Sequence, residues 1–293
     1  MTQTVVNTAA RLEAAVSAVK ATAEPRWVRY SLISIVLLFL SLFLLLPLSV
    51  VLYGAFEAGL NVWWQAVTEP DAVAAIKLTL LVLVVVVPLN AIFGVAIAWA
   101  VAKFEFRGKT LLVSIIDMPF AISPVVVGLI FVIFFGSHGW LGPWLQQHDI
   151  NIIFAVPGII IVILFGTLPF VARELIPLMQ QQGKEEEEAS LTLGASGWKT
   201  FWYVTLPNIK WGLIYGVVLC NARAMGEFGA VAVVSGRIRG ETNTMPLHIE
   251  VLYNEYMFTA AFAVSSLLTG LALVTIAIKS YVEYKDERKH KTS

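Results

Sequence analysis

The chain has 293 residues, of which 58% are hydrophobic and 14% are charged, with a formal net charge of zero. Soluble domains carry about 25% charged residues, so this deficit excludes an ordinary water-facing protein and indicates an integral membrane protein. The zero net charge excludes no class of partner, whereas a single cysteine, Cys220, excludes an internal disulfide and is read as a small buried side chain.

The first 29 residues mix acidic and basic side chains with Ala and Val. A cleaved signal peptide needs a basic segment, a short apolar core and a cleavage site, and the apolar run that follows here is long enough to span a membrane. We therefore predict that residues 1–29 form an uncleaved cytoplasmic tail with a short amphipathic helix.

Six apolar runs of span length follow in chain order. They cover residues 31–55, 78–102, 110–135, 152–172, 211–235 and 258–280, and a helix crosses the hydrocarbon in about 20 residues. Pro88 and Asn90 in the second run, and Pro119 and Pro124 in the third, predict kinks that face protein rather than lipid. The prediction is an all-α membrane protein with one transmembrane domain over residues 30–282.

Lys and Arg are concentrated on one side of this topology. Sixteen of the 20 lie in the N-terminal tail, in the segment from Lys279 onward or in the loops 103–109 and 173–210, whereas three lie in the opposite loops. Because positive charge favours the cytoplasmic side, both termini are predicted to be cytoplasmic, including a C-terminal tail at 283–293.

The loop 173–210 is too long for a plain connection, and its residues predict two short helices. Gly183 breaks the chain, and four glutamates at 185–188 favour the positive end of a helix. Gly194 is placed to end that helix, and Ser196 is placed to cap a second helix over residues 197–204.

The end of this loop resembles the EAA loop of ABC importer permeases. Its sequence is Glu-Ala-Ser at 188–190, then Gly194 after three residues, then Val-Thr-Leu-Pro at 204–207 after nine more. The family pattern is Glu-Ala-Ala, three residues, Gly, nine residues, Ile, any residue, Leu-Pro, so Ser190 and Val204 depart from it. The resemblance implies a type I ABC importer permease fold with six transmembrane helices. We call residues 183–207 the EAA loop.

The resemblance also places the EAA loop in a groove of a separate ATPase subunit, whose closure moves the loop. The coupling residues that it implies are Glu188, Ala189, Ser190, Gly194, Leu206 and Pro207. Glu185–Glu187 are read instead as a solvated acidic run. The sequence contains no Gly-x-x-x-x-Gly-Lys-Ser/Thr. We therefore predict no catalytic residue, metal or cofactor in this chain, with ATP and Mg bound by the partner ATPase.

Charged side chains at membrane depth are costly and usually face protein or water. Arg223 and Glu227 are four residues apart, which permits a pair on one helix face. Such a pair either ties helices together and neutralises itself, or leaves Arg223 to line the route of an anion. Gly226 beside the pair allows a close helix approach or a break. The candidate translocation path is Asp117, Ser123, Arg223 and Glu227.

Two longer segments, 117–128 and 221–230, and the Arg-Gly-Glu-Thr loop at 239–242 resemble the CysW family of sulfate/thiosulfate permeases. This likeness runs over about residues 30–280. It implies sulfate or thiosulfate import for cysteine biosynthesis across the bacterial inner membrane. The implied partners are a CysA-like ATPase, a CysT-like second permease, a periplasmic sulfate-binding protein and membrane lipid, with no nucleic acid.

The outer loops 56–76, 136–151 and 236–257 would then receive the binding protein. Arg237, Arg239 and Glu241 are the candidates for that contact.

Three other interpretations stay open at this point. Molybdate and tungstate permeases share the segment around Arg223. An ion-coupled secondary anion transporter would use midplane carboxylates such as Asp117 and Glu227, although the EAA loop has no purpose in it. A non-transporting membrane assembly subunit would explain the spans but not the spacing of the loop.

Overall fold

Helices are the regular elements that the described part of the chain contains. The computed structural model describes the backbone of residues 26–290 and the side chains of residues 27–281, and its elements over that range are α-helices and two π-helical turns. Hydrocarbon offers no partner for backbone N–H and C=O groups, and a helix satisfies them within one segment. The chain divides into two units, residues 1–53 and 54–293. The amphipathic helix expected in the tail lies outside the described residues.

The first unit holds most of the apolar helix that we call α1. It consists of Arg26–Leu40, a π-helical turn at Ser41–Leu45 and Leu46–Phe56, without a break between them. Its mean hydropathy reaches 3.0, which confirms the apolar run predicted over residues 31–55. The π turn ends two residues before Pro47. A proline ring collides with the carbonyl four residues earlier in an α-helix, and the wider π turn accommodates it.

The second unit contains twelve helices within the described residues, joined mostly by short turns. They are α2 (Leu60–Thr68), α3 (Pro70–Lys103), α4 (Lys109–Ala121), α5 (Pro124–Phe135), α6 (Gly142–Gln147), α7 (Val156–Gln182), α8 (Glu185–Thr192), α9 (Gly197–Thr200), α10 (Leu206–Met225), α11 (Gly229–Val234), α12 (Met245–Asn254) and α13 (Phe258–His290). A π turn, Phe201–Thr205, joins α9 to α10 without a break. The first part of the predicted tail 283–293 is therefore helical.

Within residues 26–290, four helices are long and apolar enough to cross a membrane: α1, α3, α7 and α13. The pair α4 and α5 counts as a fifth span only if it is taken together, because the two helices are bent by 111°. The chain is thus a multi-pass membrane protein. The six spans and the cytoplasmic termini stay predictions.

Three of the expected spans differ from the observed helices. The run 110–135 is not one helix, because Ile122 and Ser123 separate α4 from α5. Ser123 precedes Pro124, and a residue before proline avoids helical geometry. The run 211–235 is also interrupted, at residues 226–228. The fourth helix was expected to end at residue 172, whereas α7 continues to Gln182.

A buried polar cluster ties α3, α7 and α10 together. The Asn90 amide donates to the Thr167 hydroxyl at 2.6 Å and to the Cys220 sulfur at 3.3 Å. Asn90 therefore faces protein, as predicted, and Cys220 is a buried small side chain, as predicted. Pro88 was expected on the same protein-facing side, but it is exposed. Two residues are about 200° apart around a helix, so the two side chains point in nearly opposite directions.

Close approach of α3 and α7 depends on Gly94. A Cβ at this position would lie 2.6 Å from both Cβ and Cγ1 of Val171. Val171 is fully buried on α7 and branched at Cβ, so it cannot turn aside.

We expect Gly94→Ala to destabilise the folded chain by roughly 1–3 kcal/mol, the usual cost of overpacking. The matched control is Gly166→Ala on α7, where an added Cβ meets no atom within 4 Å and gains helix propensity. Thermal unfolding of both variants in detergent measures the difference. Equal melting temperatures would contradict the close contact.

Candidate functional site

The EAA loop contains the first short helix that its sequence predicts. The second helix, expected over residues 197–204, begins at Gly197 as predicted but continues through the π turn into α10. Helix α8 begins at Glu185 with four glutamates in its first turn and ends at Thr192. Gly194 follows with φ of +89°, a conformation that favours glycine. The Ser196 side chain then accepts a hydrogen bond from the Lys199 N–H at the start of α9.

The acidic run of this loop is only partly solvated. Glu185 is exposed, as expected, whereas the expectation was wrong for Glu187, which is half-buried. The Glu187 carboxylate accepts a hydrogen bond from the Thr205 hydroxyl at 2.8 Å and lies 3.2 Å from the Lys103 ammonium. The Asn208 amide donates to the Glu186 carboxylate. The carboxylates that precede the Glu-Ala-Ser motif therefore fasten α8 to its neighbours.

The residues implied in coupling lie mostly on the outer surface of the loop. Glu188, Ala189, Gly194 and Pro207 are exposed, whereas Leu206 is half-buried. Ser190 is also half-buried, and its hydroxyl lies 3.1 Å from that of Thr200.

Within this chain Gly194 is open, since a Cβ there meets no atom within 4 Å. The neighbouring Leu193 side chain is 88% exposed. The turn therefore presents an exposed apolar side chain next to a glycine whose backbone is accessible. Such a surface is suited to packing against another protein.

Two helix breaks lie against each other. The first is at Ser123, between α4 and α5, and the second is at residues 226–228, between α10 and α11. A Cβ on Gly229 would lie 3.3 Å from Cβ of Pro124, and one on Gly128 would lie 2.9 Å from the Ala230 carbonyl oxygen. Small residues thus allow the first turns of α5 and α11 to touch.

The predicted pair of Arg223 and Glu227 forms at the second break, with 2.6 Å between guanidinium and carboxylate. The Glu227 side chain is only 4% exposed, and it also accepts a hydrogen bond from the Ala230 N–H at 3.3 Å. Arg223 is 37% exposed. The carboxylate therefore holds the break together, while the guanidinium reaches toward the surface.

Asp117 has a partner that the sequence did not suggest. Arg173 on α7 donates to its carboxylate at 2.6 Å and lies over the Phe120 ring at 4.8 Å. Arg173 was assigned to a loop because the helix was expected to end before it. Among the described side chains, no ion pair joins Asp117 to Arg223 or Arg173 to Glu227. The charged residues of the candidate path therefore belong to two separate pairs.

The three candidates for docking lie in the turn before α12. Arg237 pairs with Glu250 at 3.1 Å, and Arg239 pairs with Glu255. Glu241 is exposed. The two arginines thus fasten the turn to α12. Burial lowers the pKa of the His248 imidazole on the same helix, so this side chain is neutral at pH 7.

A family of known proteins matches this arrangement. The family described as "Binding-protein-dependent transport system inner membrane component" covers residues 91–285, a segment that includes the EAA loop and both helix breaks. The chain belongs to this family.

Close relatives within the inner membrane component family are named as sulfate permeases. The sulfate transport system permease protein CysW of Synechocystis is 50% identical over 88% of this chain and 94% of its own length. The CysW protein of Escherichia coli K12 is 48% identical over 90% of this chain and 91% of its own length. The CysT protein of the same strain is 38% identical over 82% and 87%.

A solved structure of similar fold is a bacterial alginate ABC transporter in complex with an alginate-bound periplasmic protein. The TM-score is 0.73 at 16% identity, covering 89% of this chain and 94% of that one. This likeness shows the fold alone, and it confirms the all-α ABC permease fold.

We expect Arg223→Ala to leave the buried Glu227 carboxylate without its countercharge. The cost should lie at the lower end of the roughly 3–5 kcal/mol for breaking a buried pair, because Arg223 is partly solvated. The double variant Arg223→Met with Glu227→Gln removes both charges and should regain much of the stability. Thermal unfolding and anion uptake are measured for both variants. They decide whether the pair only ties helices together or whether Arg223 also lines the route of an anion. A stable double variant with normal uptake would show that Arg223 is not needed for transport.

Proposed function

We propose that this chain is the permease subunit of an ATP-driven importer that moves sulfate or thiosulfate across the bacterial cytoplasmic membrane. The observation that carries the proposal is the 48–50% identity, over about nine tenths of the chain, to CysW proteins from two distant bacteria. The placement of Arg223 and of the EAA loop agrees with it.

The proposed complex contains three kinds of partner. A second permease related to CysT pairs with this chain, and a CysA-like ATPase binds ATP and Mg and receives the EAA loop on the cytoplasmic side. A periplasmic sulfate-binding protein docks on the outer loops, where Arg237, Arg239 and Glu241 contact it. The six-span topology with cytoplasmic termini belongs to the same proposal.

The mechanical link in this proposal is a continuous helical segment. From Gly197 to Met225 the chain runs without a break through α9, the π turn and α10. At 1.5 Å per residue, with 29 residues, it spans roughly 40 Å. A movement of the EAA loop is therefore transmitted along one rod to the break at residues 226–228, beside Arg223.

The two breaks mark the route that we assign to the anion. A tetrahedral dianion must exchange its hydration for hydrogen-bond donors before it enters a low-dielectric region. The exposed Ser123 hydroxyl and the solvated part of Arg223 supply such donors, and the N-terminus of α5 adds backbone N–H groups. Asp117 is paired with Arg173, and we assign this pair to the edge of the route.

Proteoliposomes that contain the complete complex test the function. We expect sulfate uptake that requires the binding protein and ATP on the side of the EAA loop, and that persists without a proton gradient. Uptake without ATP that collapses with the gradient would favour a secondary transporter. Uptake of molybdate in strong preference to sulfate would replace the substrate but not the transport class.

We expect Gly194→Asp to abolish uptake while the chain still inserts and folds. The position has room for a side chain, and Asp tolerates positive φ better than most residues, so the loss would come from the ATPase contact. Gly194→Asn adds similar bulk without charge and is the matched control. Co-purification with the ATPase and uptake are measured for both. Normal uptake by Gly194→Asp would contradict docking at this turn.

A further inference from the structure

The last turn of α3 carries a buried cation that the proposed function does not use. The Lys103 side chain is only 7% exposed. Its ammonium donates to the Gly183 carbonyl and lies 3.2 Å from the Glu187 carboxylate. A buried ammonium without a partner is strongly disfavoured, so these two contacts explain why Lys103 points into the EAA loop rather than into water.

Both ends of the contact are suited to their charges. Lys103 lies at the C-terminal end of α3, where a helix dipole favours a cation. Glu187 lies in the first turn of α8, where the dipole favours a carboxylate. The ion pair therefore joins the negative end of one helix to the positive end of another, and each helix stabilises its own member.

Gly183 presents the carbonyl that completes the contact. Its φ of +69° and ψ of −158° fall in a region that essentially only glycine enters. An added Cβ would meet no atom within 4 Å, so crowding does not require glycine here. Glycine is required because it can adopt the backbone conformation that points this carbonyl at Lys103.

The EAA loop is fastened on its other side as well. Thr205 and Asn208 hold Glu187 and Glu186, and Gln182 donates to the Asn208 carbonyl at 3.0 Å. These contacts join α8 to the π turn and to the beginning of α10, and they join the end of α7 to α10 as well. All these elements are close to α8 along the chain. Lys103 links α8 to α3, which lies eighty residues away from Gly183 in sequence. Elsewhere in the EAA loop, Trp99 of α3 packs against Phe201 of the π turn, with 5.3 Å between the ring centroids.

We propose that Lys103 is a positioning residue that latches the EAA loop to α3, so that a movement of the loop drives α3 together with α10. This inference rests on the proposed function, because it assumes that an ATPase moves the loop. Helix α3 carries Asn90, which binds Thr167 of α7 and Cys220 of α10. With the latch, a movement of α8 would act on both α3 and α10, and these two helices are also joined to each other by Asn90 and Cys220.

The test is the amount of anion transported per ATP hydrolysed by the complete complex in proteoliposomes. Lys103→Met keeps the apolar stem and removes the charge. We expect the complex to assemble and hydrolyse ATP, while anion transported per ATP falls by roughly fivefold or more, the usual scale of a coupling interaction. Lys103→Arg keeps a cation and should restore most of the ratio.

A second pair of variants decides the matter if Lys103→Met fails to assemble. Glu187→Gln loses the ion pair but keeps an oxygen for the Thr205 hydroxyl, and Glu185→Gln is its matched control on an exposed position of the same turn. We expect the ratio to fall for Glu187→Gln and not for Glu185→Gln. Equal ratios for these two variants, or a wild-type ratio for an assembled Lys103→Met complex, would overturn the latch.

Failure of the proposed function gives a different result. In that case the wild-type complex itself shows no ATP-dependent uptake of sulfate, whatever the variants do. If the wild type moves another anion in an ATP-dependent manner, the same ratio measured with that anion tests the latch.

Discussion

The structure depends on how a chain in hydrocarbon tolerates interrupted helices. Backbone groups freed at a break must find partners inside the protein. Here the two breaks, at Ser123 and at residues 226–228, lie against each other through Gly128 and Gly229. The Glu227 carboxylate accepts from the Ala230 N–H and so supplies part of what the interrupted helix lost. Its charge is offset by Arg223. The self-neutralising pair and the anion route are therefore compatible, because the carboxylate faces inward and the guanidinium remains partly solvated.

The same constraint bears on how the EAA loop is linked to the break at residues 226–228. A proline would ordinarily interrupt the helix near residue 207, as the family pattern of Leu-Pro suggests. The π turn at Phe201–Thr205 widens the helix just before Pro207, so the helical segment continues from the EAA loop to Met225. The identical spacing of the π turn and Pro47 in α1 shows that the cause is local. The EAA loop is therefore connected to the break by helical residues throughout, without an interruption at Pro207.

Sequence patterns predicted the elements that depend on local chemistry. The caps of the EAA loop at Gly194 and Ser196, the apolar runs and the pairing of Arg223 with Glu227 all follow from spacing and side-chain type. The misses arise where tertiary partners decide. The helix α7 continues past residue 172 because Leu175 and Met179 pack into a core with residues of α3 and α10. Glu186 and Glu187 are fastened because Lys103, Thr205 and Asn208 approach from distant elements. The hydropathy of the run 110–135 likewise does not predict the 111° bend between α4 and α5.

The pairing of the membrane charges bears on how a dianion crosses. Arg173 is paired with Asp117, and Arg223 is paired with Glu227, so neither site presents an isolated positive charge. An arginine without a countercharge in a low-dielectric region would bind a dianion tightly and slow its release. Transport needs binding sites whose affinity is low enough for the anion to leave. A paired arginine still offers directional N–H donors. If the anion follows the proposed route, it therefore meets hydrogen-bond donors with little net charge.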